Sequence, residues 1–414
     1  MKGRNAYLIV LLFLLALLPV RANHVIHDAQ IKSLQVTVND NWLTIPILRL
    51  HENDILNVRF DELSHTYHHY ICHLEHCEDD WTPSEQLFDS DWLEGFNDLP
   101  IEDYAHSINT TVQYTNYAIS YPNDKCRLKL SGNYRLHIYD EDQNNEEVIT
   151  VEFRVLEPLM DVSLGVTTNT DIDINGKRQQ VNMSLNYKNI NVTNVDEQIR
   201  TVVMQNYRED NARHNVRPNF KTLQGLTWDH NRDLIFLAGN EYHKFEMLDT
   251  SHPTMGIEYM GWDGERFNAY PFVAEPRPNY LYDEDANGAF LIRNSDYWEI
   301  NTTCDYVWVH FQLKCPPTDL GQILIQGRWT LDQDKRHYIM NYDEQQQMYQ
   351  QSILLKQGYY SYAFQLLRPN GTIVSAPSEG DYYQTENEYQ ALVYYKGLEE
   401  RTWRLVGYQS VRLR

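Results

Sequence analysis

Val181-Asn182-Met183-Ser184-Leu185-Asn186-Tyr187 puts an apolar side chain at every second position, the period of a strand with one buried face. Leu34-Gln35-Val36-Thr37-Val38 repeats it. Nearly every segment after residue 30 does the same with Tyr, Val, Ile and Thr, the residues that best fit a pleated, half-buried surface. Asn175-Gly176, Asn287-Gly288 and Asn370-Gly371 punctuate these runs and read as hairpin loops, because Asn and Gly accept the positive φ that a tight hairpin needs. No long amphipathic helix competes. The expected class is all-β, a tandem array of Ig-like β-sandwich domains.

At 414 residues, a chain folds as two to four domains, at roughly 100–200 residues for each. The run from Val148 to Val155 meets Leu156-Glu157-Pro158, and proline cannot continue a central strand. The expected units are an N-terminal β-sandwich over residues 23–158, a middle β-rich domain over 159–302 and a C-terminal early-set Ig-like sandwich over 303–414. The proline-rich stretch Tyr270 to Pro278 precedes the second boundary.

Lys2 and Arg4 precede an apolar run from Tyr7 to Val20, and Val20-Arg21-Ala22 supplies a cleavage site. This is the layout of a secretory signal peptide over residues 1–22. Its fourteen apolar residues reach about 21 Å as a helix, short of the roughly 30 Å hydrocarbon core. No cysteine follows the cut, so no lipid anchor is expected there. The formal net charge is −23, and losing Lys2, Arg4 and Arg21 makes the remainder more acidic still. Such a field opposes nonspecific binding to nucleic acid or anionic lipid, leaving a protein or a neutral ligand as the expected partner.

Five cysteines in an exported chain raise the question of disulfides. Cys304 and Cys315 bracket a segment that reads as one strand, roughly 36 Å end to end and beyond any bridge. Cys126 with Cys72 or Cys77 stays open.

His65-Thr66-Tyr67-His68-His69-Tyr70-Ile71-Cys72-His73-Leu74-Glu75-His76-Cys77 holds five histidines and two cysteines. On a helix, residues 65, 68, 69, 72, 73 and 76 would share a face suited to zinc. On a strand, His65, His69 and His73 stand about 13 Å apart, too far to share one ion. The interleaved Thr66, Tyr67, Tyr70 and Ile71 favour the strand, so no metal site is expected. Asp171-Ile172-Asp173-Ile174-Asn175-Gly176 and Asp283-Glu284-Asp285-Ala286-Asn287-Gly288 begin like calcium loops. Both offer asparagine, Asn182 and Asn294, where the twelfth position needs a bidentate glutamate, and both read as turns. Neither a Gly-x-Ser-x-Gly elbow, a His-Glu-x-x-His pair nor a phosphate-cradling glycine loop occurs. Acidic pairs such as Asp79-Asp80 and Glu399-Glu400, among 58 carboxylates, read as solvated surface. No catalytic residue, cofactor or enzymatic activity is expected.

A series of short motifs carries a family resemblance. His76-Cys77-Glu78-Asp79-Asp80-Trp81, Trp92-Leu93-Glu94-Gly95, Ile101-Glu102-Asp103-Tyr104, Leu130-Ser131-Gly132-Asn133-Tyr134, Gly261-Trp262-Asp263-Gly264-Glu265-Arg266-Phe267-Asn268 and Glu386 to Tyr395 resemble the plug proteins of the type IX secretion system of Bacteroidota. The likeness spans nearly all of the chain after residue 22. It implies a periplasmic, non-enzymatic protein, a monomer within a hetero-complex, docked on the periplasmic opening of a large outer-membrane translocon barrel. There it blocks the pore sterically while no cargo passes. The contact residues are not implied.

Gln326-Gly327-Arg328-Trp329, Met340 to Asp343 and Leu354 to Phe364 resemble, more distantly, the early-set Ig-like modules that bind glycogen or starch. That likeness implies Trp329 and Tyr360 as stacking faces for a sugar, and an exported glycan-binding accessory protein as the alternative function.

Overall fold

A computed structural model describes residues 23–296 and 298–413. The expected signal peptide, residues 1–22, lies outside them. The chain is nearly all strand, and α-helices such as Asp89–Trp92 and Val195–Gln198 are single turns. Alternation becomes burial directly: in the strand Arg178–Asn186, Val181, Met183 and Leu185 are buried while Ser184 and Asn186 are exposed. Asn175, at φ 49°, sits in the turn that joins this strand to its antiparallel partner Asp161–Thr167. Asn370-Gly371 likewise connects Gly358–Leu367 to Ile373–Ser375. Asn287-Gly288 departs from the hairpin expectation, since it closes a strandless segment, residues 275–289, before the strand Phe290–Ile292.

Three apolar cores organise the strands. The first lies between a sheet of Ile31–Val38, Leu56–Glu62, Thr115–Tyr121 and Asp103–His106 and the strands Tyr70–Cys77, Gly132–Asp140 and Glu146–Leu156. The second joins Asp161–Thr167, Arg178–Asn186 and Gly225–Trp228 to Ile199–Gln205, Glu388–Tyr395 and Arg404–Arg412. The third brings His243–Glu246, Phe290–Ile292, Gln322–Gln326 and Gly358–Leu367 against Ile257–Trp262, Phe267–Pro271, Tyr306–Leu313 and Met348–Lys356. These are tandem β-sandwiches, as the alternation implies.

The expected boundary between residues 302 and 303 falls inside the third core. That core takes Phe245, Ile257 and Ile292 from one side of it and Val307, Ile325 and Phe364 from the other. Composition is silent on this because Phe290–Ile292 pairs with Gly358–Leu367, a long-range match that no local signal announces. The C-terminal hairpin, in turn, completes the middle core through Tyr389, Ala391 and Val406. We propose a division in which residues 243–375 are inserted into a middle sandwich built from 161–237 and 388–412.

The first and middle sandwiches share one sheet. It runs from Arg213–His214 through Ile199–Gln205, Glu388–Tyr395 and Arg404–Arg412 into Glu146–Leu156, and ends at Leu99–Pro100. The crossing is the parallel contact Leu156↔Leu405, reinforced by Glu157 N–H to Leu405 C=O and Met160 N–H to Val406 C=O, each 3.0 Å. Backbone hydrogen bonds that continue across a boundary remove the hinge that a polar linker would provide.

Candidate functional site

The histidine-rich stretch lies mostly on the strand Tyr70–Cys77, whose side chains alternate between core and surface. Most of its histidines go to separate partners. His73 Nδ1 meets Asp98 at 2.8 Å, His69 lies 3.2 Å from Asp142, and His76 Nδ1 lies 2.9 Å from the Ser84 hydroxyl. His65 packs its ring beside His106 at 4.7 Å. The group that does come together is His68, Asp140 and Asp142, with ligand atoms within 4.8 Å. Two of its three members lie outside the quoted stretch. His68 Nδ1 and Asp140 are hydrogen-bonded at 2.8 Å, and Asp140 also accepts the Asp142 N–H.

Both calcium-like segments satisfy their carboxylates internally. Asp173 pairs with Arg178 at 2.7 Å, and Asp171 accepts from Gln180 at 2.9 Å. Asp283 pairs with Lys244 at 2.6 Å, and Asp285 accepts the backbone N–H groups of Tyr242 and Asn287. All five cysteines are free. Cys72 and Cys126 share the first core without bridging, and burial pushes the Cys126 thiol up to about 11.

The sugar-stacking expectation for Trp329 and Tyr360 is overturned by burial. Trp329 is 6% and Tyr360 2% exposed, both inside the third core. Trp329 Nε1–H donates to the Ser361 carbonyl at 3.0 Å and Tyr360 O–H to the Lys356 carbonyl at 2.6 Å. A sequence pattern cannot distinguish an aromatic ring that packs a sandwich from one that faces solvent when both stand on strands.

Part of the resemblance, His76 to Trp81, Asn133 and Tyr394, converges on the joint between the first sandwich and the C-terminal hairpin. Trp81, 4% exposed, lies under the Arg154 guanidinium at 4.9 Å from the ring centroid. Arg154 pairs with Glu209 of the middle sandwich and donates to the Tyr394 hydroxyl at 3.3 Å. Tyr394 O–H donates to Asn133 Oδ1 at 2.8 Å, and the Trp403 N–H donates to the Glu78 carboxylate at 3.1 Å. The hydroxyl of Ser84 links His76 to Thr402 Oγ1, at 3.0 Å. Burial lowers the His76 pKa to about 4 despite its hydrogen bond to Ser131, so the ring in this relay is neutral.

One face of the third sandwich is aromatic and open. Tyr259 and Tyr270 are register partners at 5.8 Å, and Tyr270 stacks on His310 at 4.5 Å. Trp308 lies one strand further in, beneath the Arg266 guanidinium at 5.6 Å. Tyr259 and Phe272 are 58% and 61% exposed; Trp262, 50% exposed, alternates to the other side of the strand with Met260 and packs on its register partner Phe267 at 4.9 Å. Gly261 makes the platform flat: a Cβ there would stand 2.4 Å from the Tyr259 hydroxyl oxygen, so the ring lies along the strand across the glycine. Tyrosine, tryptophan, phenylalanine and arginine are the residues that protein interfaces concentrate at their centres. The strand Ile257–Trp262 is also the free edge of its sheet.

Residues 31–157 match the type 9 secretion system plug protein 1st domain. The whole fold is similar to the crystal structure of a hypothetical protein from Parabacteroides merdae. The TM-score is 0.91 with 35% sequence identity, covering 95% of this chain and 100% of that one. The chain belongs to the type 9 secretion system plug protein family. No curated protein matches it.

In this plug-family chain the matched first domain supplies Trp81, Asn133 and Arg154 to the joint, so the motifs around Trp81 and Asn133 supply contacts that fix one sandwich to the next. Arg154, Glu209, Asp61 and Lys356 escaped that reading. A signal existed for the first of them. Glu152 and Arg154 interrupt a strand, Val148 to Leu156, that is apolar apart from them and Thr150 and is buried on both faces over its last six residues, the mark of a strand covered by a second body. The family is a secretion-system component. Among the described residues, no helix is long and apolar enough to cross a membrane.

Proposed function

We propose that this chain is a periplasmic plug that docks on the periplasmic opening of the type IX translocon barrel and blocks it sterically while no cargo passes. Residues 1–22 serve as an export signal removed on passage, and the chain acts as a monomer within the hetero-complex. One observation carries the reading beyond family membership: the sandwiches share a continuous sheet and buried polar pairs, and closing a pore needs a broad body that does not flex. The aromatic face around Tyr259, Tyr270 and Phe272 is the docking surface, because it combines exposed anchors with a flat sheet edge. The glycan-binding alternative has no support from Trp329 and Tyr360, which are core residues.

Release on cargo arrival requires a contact of moderate size with a polar rim, since a large apolar interface is permanent. The acidic net charge of −23 steers the plug toward a basic rim. The test is to purify a tagged copy from gently solubilised envelopes of its host and identify co-eluting proteins by mass spectrometry. One very large outer-membrane barrel protein, recovered without secreted cargo and lost as ionic strength rises, is the expected result. Recovery without a barrel protein at low salt overturns the docking reading.

A further inference from the structure

A cavity of about 130 Å³ opens where the first, middle and third bodies meet, lined among others by Asn23, His24, Glu152, Glu209 and Asp332. Glu152 is 6% exposed. Its Oε1 accepts from Arg135 Nε at 3.0 Å, but its Oε2 is buried with no hydrogen-bond partner. A buried carboxylate oxygen left unpaired costs its full desolvation. Burial correspondingly pushes the Glu152 carboxyl up to about 7 against the pull of Arg135. Arg154, the other cation close by, is committed to Glu209 and Tyr394. The site therefore has room for one more donor, preferably cationic.

The chain itself delivers a group to that place. The strand Val25–Ile26 pairs antiparallel with Glu146–Leu156 in the register Val25↔Thr150 and Ile26↔Ile149. Continued by two residues, that register sets Asn23 opposite Glu152. His24 is tied down there, its Nδ1 accepting the Glu152 backbone N–H at 3.1 Å, and burial holds its ring neutral, with a pKa lowered to about 4.

We infer that the missing partner of Glu152 is a primary ammonium, the α-amino group of Asn23, created when residues 1–22 are removed. This rests on the export-signal reading above. Hydrolysis of the Ala22–Asn23 bond consumes one water and leaves a carboxylate on Ala22 and an amine on Asn23, which takes a proton at neutral pH. In the uncut chain the same nitrogen is an uncharged amide. Removal of the leader thus completes a charge pair at the point where three bodies meet, and the stiff form of the plug is reached only after export.

Intact-mass and N-terminal peptide analysis of the protein from its host comes first: an uncut leader overturns the export-signal reading itself, and a cut at another bond overturns the ammonium assignment alone. Given a start at Asn23, three forms are compared: the chain beginning at Asn23, the same chain acetylated at that amine, and one with a two-residue extension before it. The amine of the native protein should label with an N-hydroxysuccinimide ester at pH 7 at least tenfold more slowly than in the denatured protein. Both blocked forms should melt several degrees lower, and E152Q should speed the labelling and abolish the melting difference. Labelling at the denatured rate, with all three forms melting together, overturns the ammonium assignment while leaving the export reading intact. The acetylated chain keeps that outcome decisive even where E152Q fails to fold.

Discussion

Lys356 Nζ and Asp61 Oδ2 meet at 2.6 Å across the boundary between the third and first sandwiches, neither residue more than 1% exposed. Tyr306 O–H donates to the same oxygen at 2.7 Å, Lys356 also donates to the Asn301 carbonyl at 2.7 Å, and its ammonium lies 4.0 Å from the Tyr114 ring centroid. Removing one member of a buried pair strands the other charge, at a cost of about 3–5 kcal/mol. Lys356→Met should therefore lower unfolding stability by about that amount, while the double variant Asp61→Asn, Lys356→Met should recover most of it. Urea unfolding of the two variants decides the matter, and equal losses in both would show that packing rather than charge holds the joint.

His137 supplies a pH dependence of definite sign. Burial disfavours its charge, but hydrogen bonds to Glu147 at 2.7 Å and to Glu75 overcome this and raise its pKa to about 9. The folded pKa exceeds the ordinary value of 6.5, so the stabilisation is fully present below about pH 6.5 and fades as pH rises through about 9. Its size is roughly 1–3 kcal/mol. Melting curves should fall between pH 7 and 9.5 more steeply for the natural protein than for His137→Gln. Parallel curves would remove His137 from the account.

The all-β class was legible because alternation needs only local sequence: Met183 and Leu185 face inward wherever the strand is placed. The strand Tyr70–Cys77 holds only His73 and His76 of the five histidines, and the grouping of His68 with Asp140 and Asp142 was not legible, because it joins residues 72 positions apart, His68 and Asp140. The order of the sandwiches was not legible. Ile199–Gln205 pairs with Glu388–Tyr395, and nothing in either segment encodes a partner nearly two hundred residues away. Exposure was equally hidden in so tyrosine-rich a chain: Tyr259 and Tyr360 have similar strand neighbours, yet one is solvent-facing and the other is core.

Gly132 tests whether the family motif is a joint. Its φ is +150°, and a Cβ there would stand 2.6 Å from His76 Nε2 and 3.3 Å from the Trp403 carbonyl. Gly132→Ala should cost about 1–3 kcal/mol through strain and overpacking. It should also loosen amide protection first at residues 402–405, where the C-terminal hairpin meets the first sandwich. Hydrogen exchange read by mass spectrometry locates the effect, and a loss confined to the first core would place the glycine's role inside that sandwich alone.

The aromatic face separates docking from folding. Tyr259 and Phe272 are 58% and 61% exposed, so truncating them removes little core packing, whereas truncating a central aromatic anchor of an interface costs about 2 kcal/mol or more. Tyr259→Ala and Phe272→Ala should each weaken binding to the detergent-solubilised barrel by at least tenfold and leave the melting temperature within a degree of the natural protein. Leu223→Ala is the matched control, because Leu223 is almost fully exposed on the middle sandwich, away from this sheet. If all three variants bind the barrel alike, the face around Gly261 is not the docking surface. If Leu223→Ala alone fails, the contact belongs to the middle sandwich, and the plug meets its barrel through the turn between Phe220–Lys221 and Gly225–Trp228.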